Sequence, residues 1–248
     1  MTPFEVSVAK GLWGKVGPWL WSHVRSSVVG WRFKQVFGPG VGKPGFALVY
    51  GELALAPAFA VLRFPYVKPG GNPLAGLSIS RPVSLCELRA ASLLARAIGS
   101  GIDCTPSLRS DVELRSQLDC DFVCFGGPES NFKSGDCQSN PGNRLARFDQ
   151  ATPPQFLDLT TSVPLAACSD PNYDYGLILK VNPSQFPNRV WLMCAGFGEW
   201  GTSGAAWYLA NRWQEIRKQV KRRPFAVIVR VRPLQDQSAE PITIRVRA

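Results

Sequence analysis

The sequence predicts a layered α/β domain with a mostly parallel central sheet, preceded by a helical arm. Three observations carry this prediction. Short continuous apolar runs of strand length recur along the chain, helical patterns with start and stop signals lie between them, and two of the runs end abruptly in glycine-rich loops. The 248 residues suffice for one large domain with an appended segment, and an apolar fraction of 45% supports a sizeable core.

Taken in order, residues 5–36 read as the arm. Leu12, Val16, Trp19, Leu20, Val24, Val28 and Trp31 recur at three- and four-residue steps, with Pro18 admitting a kink. No stretch reaches the roughly 18 apolar residues of a membrane-spanning helix. A Trp-rich, basic helix suits a membrane surface; the competing reading packs it on the main domain or on a protein partner, another copy of the chain included. Gly38 to Gly45 read as a linker, which divides the chain into an arm (1–40) and a ligand-binding domain (41–248).

Phe46 to Tyr50 is the first buried strand, and a Pro/Gly-rich stretch follows over 53–83. Ser84-Leu85-Cys86-Glu87 has the spacing of a capping box, opening a helix to Ile98 that Gly99 and Gly101 stop. Ser110 and Asp111 cap a second short helix to Leu118, and Asp121 to Phe125 is the next strand. Residues 131–173 are polar, a long loop of the kind that covers a site or is mobile. Gly176–Val181 and Val190–Ala195 then read as strands, followed by a helix from Ser203 or Gly204 to Val220 and the strands Phe225–Val231 and Ile242–Val246. The 176–181 and 190–195 pair and the last two strands suit antiparallel additions to the sheet.

Composition narrows the chemistry. The net charge of +10 is concentrated in the cations from Arg212 to Arg223 and from Arg230 to Arg247. Their main reading is a solvated helix end that complements its dipole, followed by strands with exposed arginines; a nucleic-acid surface is the lesser one. Seven cysteines contain no CxxC pair, and His23 is the one histidine, which speaks against a zinc site and against a histidine-dependent triad. No metal or cofactor is expected. The cysteine pattern and the lack of a secretory leader point to the cytoplasm, with a peripheral membrane contact if the arm lies on a bilayer.

Two loops carry the candidate site. Gly126, Gly127 and Pro128 follow a buried strand directly, where paired glycines let the backbone turn sharply and approach a ligand, and Ser130 and Asn131 add polar groups, with Lys133 as a cation. The second loop, from Ala195 to Ala206, places Gly198, Trp200 and Gly201 before Thr202 and Ser203. Either hydroxyl suits the cap of the following helix and would leave its first amides to a phosphate. The lysine that a P-loop requires is absent. Glu52, Glu129 and Glu199 each lie a few residues beyond a strand. In a parallel sheet they share one edge and could hold ribose hydroxyls or act as nucleophile or base. Trp200, set between glycines, is placed to stack on a base.

The segments Asp121–Asn131 and Asp174–Ala210 resemble the Rossmann-like nucleotide-recognising domains of bacterial defence and signalling systems, the TIR-like, nucleoside deoxyribosyltransferase-like and SLOG-type families. The resemblance implies a Rossmann-like fold and a nucleotide-type ligand in a sensor or effector role. It also implies, as an alternative, cleavage of an N-glycosidic bond by a glutamate, in a nucleosidase or NAD glycohydrolase. The deoxyribosyltransferase pattern also has a glutamate on the following helix; here the first is Glu215. The expected partners are a nucleotide-like small molecule, a membrane or protein through residues 5–36, and a second copy of the chain; nucleic acid ranks below these.

Overall fold

The computed structural model describes residues 28–53, 82–149 and 153–247. Helix α1 occupies residues 28–37 and leads into strand β1 (Ala47–Tyr50). Helix α2 (Leu85–Ile102), strands β2 (Ser107–Ser110) and β3 (Phe122–Phe125) and helix α3 (Phe132–Ser139) follow. Next come a hairpin of β4 (Ala146–Asp149) and β5 (Gln155–Asp158), then β6 (Asp174–Val181), β7 (Trp191–Gly196), α4 (Glu199–Val220), β8 (Phe225–Arg232) and β9 (Gln235–Val246).

Seven strands form one sheet in the order β2-β1-β3-β7-β6-β8-β9. Strands β2, β1, β3 and β7 are mutually parallel; β6 runs against β7 and β8, and β9 runs against β8. The period of two along each strand separates two cores. Leu48, Val123, Leu192, Ile178 and Val227 pack under α1, α2 and α4. Val49, Cys124, Met193, Leu177 and Ile228 pack under α3 and the β4–β5 hairpin. Helices α2 and α4 lie side by side on one face although they lead in opposite directions along the sheet. A central sheet covered by helices on one face and by a helix and hairpin on the other is compatible with the expected Rossmann-like layering.

Several elements differ from expectation for tertiary reasons. Helix α1 buries Phe33, Val36 and Phe37 and exposes Trp31, because the Phe33 ring stacks on Phe37 and meets Trp213 of α4 edge-on. The rest of the expected arm stripe lies outside the described residues. Helix α2 runs through Gly99 and Gly101 to a left-handed Asp103, since Gly101 leaves room for the Phe33 ring against the helix. The stretch after Ser110 is a turn rather than a helix, and Ser107–Ser110 is a short edge strand. Within 131–173, Asn131 caps α3 by accepting from the Lys133 amide at 2.9 Å, and Phe148 and Phe156 of the hairpin pack against Phe197. Helix α4 begins at Glu199, a full turn earlier than its hydroxyl residues suggested. Among the described residues no helix is long and apolar enough to cross a membrane.

Candidate functional site

Because β1, β3 and β7 are adjacent and parallel, the residues that follow them line one edge of the sheet. Glu52, Glu129 and Glu199 therefore stand along the same edge, half-buried, exposed and exposed respectively. Strand β1 leads through α2 to β2 on one side, while β3 lies on the other, so the carboxyl ends of β1 and β3 flank a point where connections diverge.

The group at that point is Glu87, from the first turn of α2. It does not close a capping box: the Ser84 side chain makes no cap bond and its Oγ lies 2.8 Å from Cys86 Sγ. The Glu87 side chain instead turns into the gap between β1 and β3, where it is 2% exposed. Its Oε2 accepts from the Gly51 amide at 2.5 Å and its Oε1 from the Ser130 hydroxyl at 3.4 Å. Burial pushes its pKa up from 4.5 to about 7; the two hydrogen bonds pull against this, and the nearby Asp111 carboxylate adds to it. Gly126, at φ +87°, is required here, since a Cβ would run into Glu87 Oε1 and Ser130 Oγ.

The glycine loops present fewer open amides than the sequence implies. Asp174 at the start of β6 accepts from the Gly198 amide at 3.1 Å and from the Gly201 amide at 2.7 Å, so a carboxylate of the protein itself sits at the N-terminus of α4 where a phosphate was expected. Asp111 does the same beside β1 and β3, accepting from the Glu52 amide at 2.9 Å and the Phe132 amide at 2.8 Å. With Gly51 given to Glu87, internal carboxylates hold five amides along this edge. An incoming anion would meet like charge there.

The remaining sequence candidates sort by their partners. Asn131 donates to the Val49 and Phe125 carbonyls at 3.1 and 2.9 Å, tying the ends of β1 and β3 together, and Lys133 is fully buried with Nζ on Asp136 at 2.9 Å; both are struts. Thr202 and Ser203 are buried within α4, and the Ser203 hydroxyl bonds Asp236 at 2.6 Å, so neither is a cap. Gly201 is set against the Tyr175 carbonyl, and Gly198 gives Asp174 room to approach. Trp200 packs on the first core under the Arg89 guanidinium, 4.3 Å from its ring centroid, so one face is already covered. Gly127 is half-buried beside Phe148 and Glu129, and Ser130 is half-buried with its hydroxyl on Glu87. Glu199 acts electrostatically on Cys86, which places the start of α4 near that of α2.

Glu87, Asp111 and Asp174 escaped the sequence reading because each fitted a local role or none. Their partners are far away in sequence, 36 residues for Glu87 and Gly51 and 27 for Asp174 and Gly201. Among the described residues no group of three or more His, Cys, Asp or Glu side chains is placed to hold a metal ion. The chain matches no protein-family model, and comparison with curated proteins and with solved structures finds no significant match.

Proposed function

We propose that the protein binds a nucleoside-type small molecule at the carboxyl edge of β1, β3 and β7, through its hydroxyl-bearing part rather than through phosphate. The observation that carries this is Glu87, a buried carboxyl poised near neutrality and bonded to the Ser130 hydroxyl where the connections of β1 and β3 diverge. The filled amides disfavour an anion, while Glu52, Glu129 and Glu199 supply acceptors of the kind that hold ribose hydroxyls. Ser130 meets the ligand, and Glu87 behind it sets the direction of that hydroxyl. In a sensor or effector of this kind, occupancy of the edge is the signal.

Hydrolysis of an N-glycosidic bond is the second reading, favoured by one feature. A carboxyl near pKa 7 next to carboxylates on the same edge is the pairing from which acid and base roles are drawn.

The test is thermal stabilisation of the full chain by adenosine, NAD and a cyclic dinucleotide, with product analysis of each. Binding without turnover, weakened about tenfold by Ser130→Ala, supports the first reading; a loss of one hydrogen bond to a ligand is worth roughly 1 kcal/mol or more. Free base released by the wild type and abolished in Glu129→Gln or Glu199→Gln supports the second. No stabilisation by any hydroxylated ligand at millimolar concentration would sink both.

A further inference from the structure

The opposite edge of the sheet carries a different chemistry. There the turn before β1, the residues preceding β3 and β7, the end of β6 and the segment after α4 enclose a cleft of about 750 Å³, within the range of roughly 300–1,000 Å³ usual for small-molecule sites. Five cations line it, Lys34, Lys43, Lys180, Arg189 and Arg222, against one carboxylate, Asp121.

The single carboxylate does not neutralise them. Asp121 Oδ1 accepts from the Val190 amide at 2.8 Å, and Oδ2 accepts from Arg189 at 3.3 Å; Arg189 also holds Asp119 at 2.7 Å. Arg189 is thus matched twice over. Among the described residues no carboxylate pairs with Lys34, Lys43, Lys180 or Arg222. Outside those residues the sequence holds one acidic side chain, Glu5, so the chain has almost no further negative charge to offer.

Lys180 forms the floor. It is 1% exposed, and its Nζ donates to the Gln35 carbonyl at 2.7 Å and the Arg222 carbonyl at 3.2 Å. Burial, and then repulsion from Arg222, lower its pKa to about 7. At the rim Trp31 is 53% exposed, with the Arg222 guanidinium 5.8 Å from its ring centroid, a flat apolar wall beside the cations.

We propose that this cleft is a second ligand site, taking a small molecule that bears an oligophosphate chain. Lys34, Lys43 and Arg222, cations without carboxylate partners set over the buried Lys180, complement the charge of such a chain, and the volume admits a few phosphoryl groups with an attached aromatic group along Trp31. The site is independent of the one at the carboxyl edge, where internal carboxylates hold five amides.

Titration calorimetry of the full chain with inorganic tripolyphosphate, ATP and adenosine tests it. Expected are saturable one-to-one binding of tripolyphosphate and of ATP, no competition by adenosine, and a loss of at least about tenfold in Lys34→Glu/Lys43→Glu. Both lysines are exposed, so the variant folds, and Arg222→Gln provides an independent second variant. Binding in Glu87→Gln stays at the wild-type level, which separates a failure here from a failure at the other edge. The proposal is overturned by absent binding at low salt, by binding indifferent to both cleft variants, or by loss of binding in Glu87→Gln. Affinity for single-stranded oligonucleotides that exceeds that for tripolyphosphate and climbs with length also overturns it, since that marks a nucleic-acid track.

Discussion

Replacing Glu87 by glutamine isolates the energetic consequence of burying a carboxyl between β1 and β3. The amide keeps the shape, can accept from Gly51 and can donate to Ser130, but does not ionise. A carboxyl whose folded pKa lies above its unfolded one binds its proton more tightly in the folded chain. The stabilisation is therefore complete below about pH 4.5 and is lost as pH rises to about 7. The step from 4.5 to about 7 corresponds to about 3 kcal/mol as an upper bound, and relaxation around the charge brings this to about 1–3 kcal/mol. Urea unfolding of both proteins between pH 4.5 and 8 reads it directly. The expected result is similar stability at the acid end and a midpoint about 0.5–1 M higher for Glu87→Gln above pH 7. Parallel pH profiles, or a variant less stable at pH 8, would refute the reasoning, because the carboxyl would then be ionised in the folded chain at little cost.

Two further perturbations probe the edge and its packing. Asp174→Ala removes the carboxylate from the Gly198 and Gly201 amides, which lowers stability by about 1–3 kcal/mol and opens an anion site; sulfate should then raise the melting temperature of the variant more than that of the wild type, and an equal response would mean that those amides are not vacated. Gly201→Ala drives a Cβ into the Tyr175 carbonyl and should cost about 2–4 kcal/mol, whereas Gly45→Ala, at φ +90° with open space around it, should cost only about 1 kcal/mol; comparable urea midpoints for the two would contradict the close approach of α4 to β6.

The strands were legible because their pattern is dictated locally. Phe46–Tyr50, Asp121–Phe125 and Phe225–Val231 are buried on both faces, and no surface helix carries such runs. The expected antiparallel additions at 176–195 and at the chain's end follow the same logic, through the Pro-rich connection over 182–190 between β6 and β7 and the hairpin turn at Leu234, which has φ +66°. Elements with weak or mixed patterns were not legible. Ser107–Ser110 is a strand because β1 offers it an edge, and Phe132–Ser139 is a helix because Asn131 fixes its first turn while bonding two strands. The basic tail divides likewise: Arg222 and Arg245 end near the cleft edge, and Arg230 and Arg232 at the other end, on Tyr173.

By itself the sequence determined the α/β class, most of the sheet and the alignment of Glu52, Glu129 and Glu199 on one edge, because each follows a strand whose periodicity is local. Tertiary structure alone decided how the glycine loops are used. Hydrogen-bond partners are chosen by proximity across the fold, so the Gly198 and Gly201 amides that local spacing offered to a phosphate went to Asp174, while Glu87 and Asp111 took amides beside β1 and β3. The same long-range assembly brought Lys34, Lys43, Lys180 and Arg222, scattered over the chain, into one cleft at the far edge. Charge density depends on distance in space, which a sequence fixes only after it has folded.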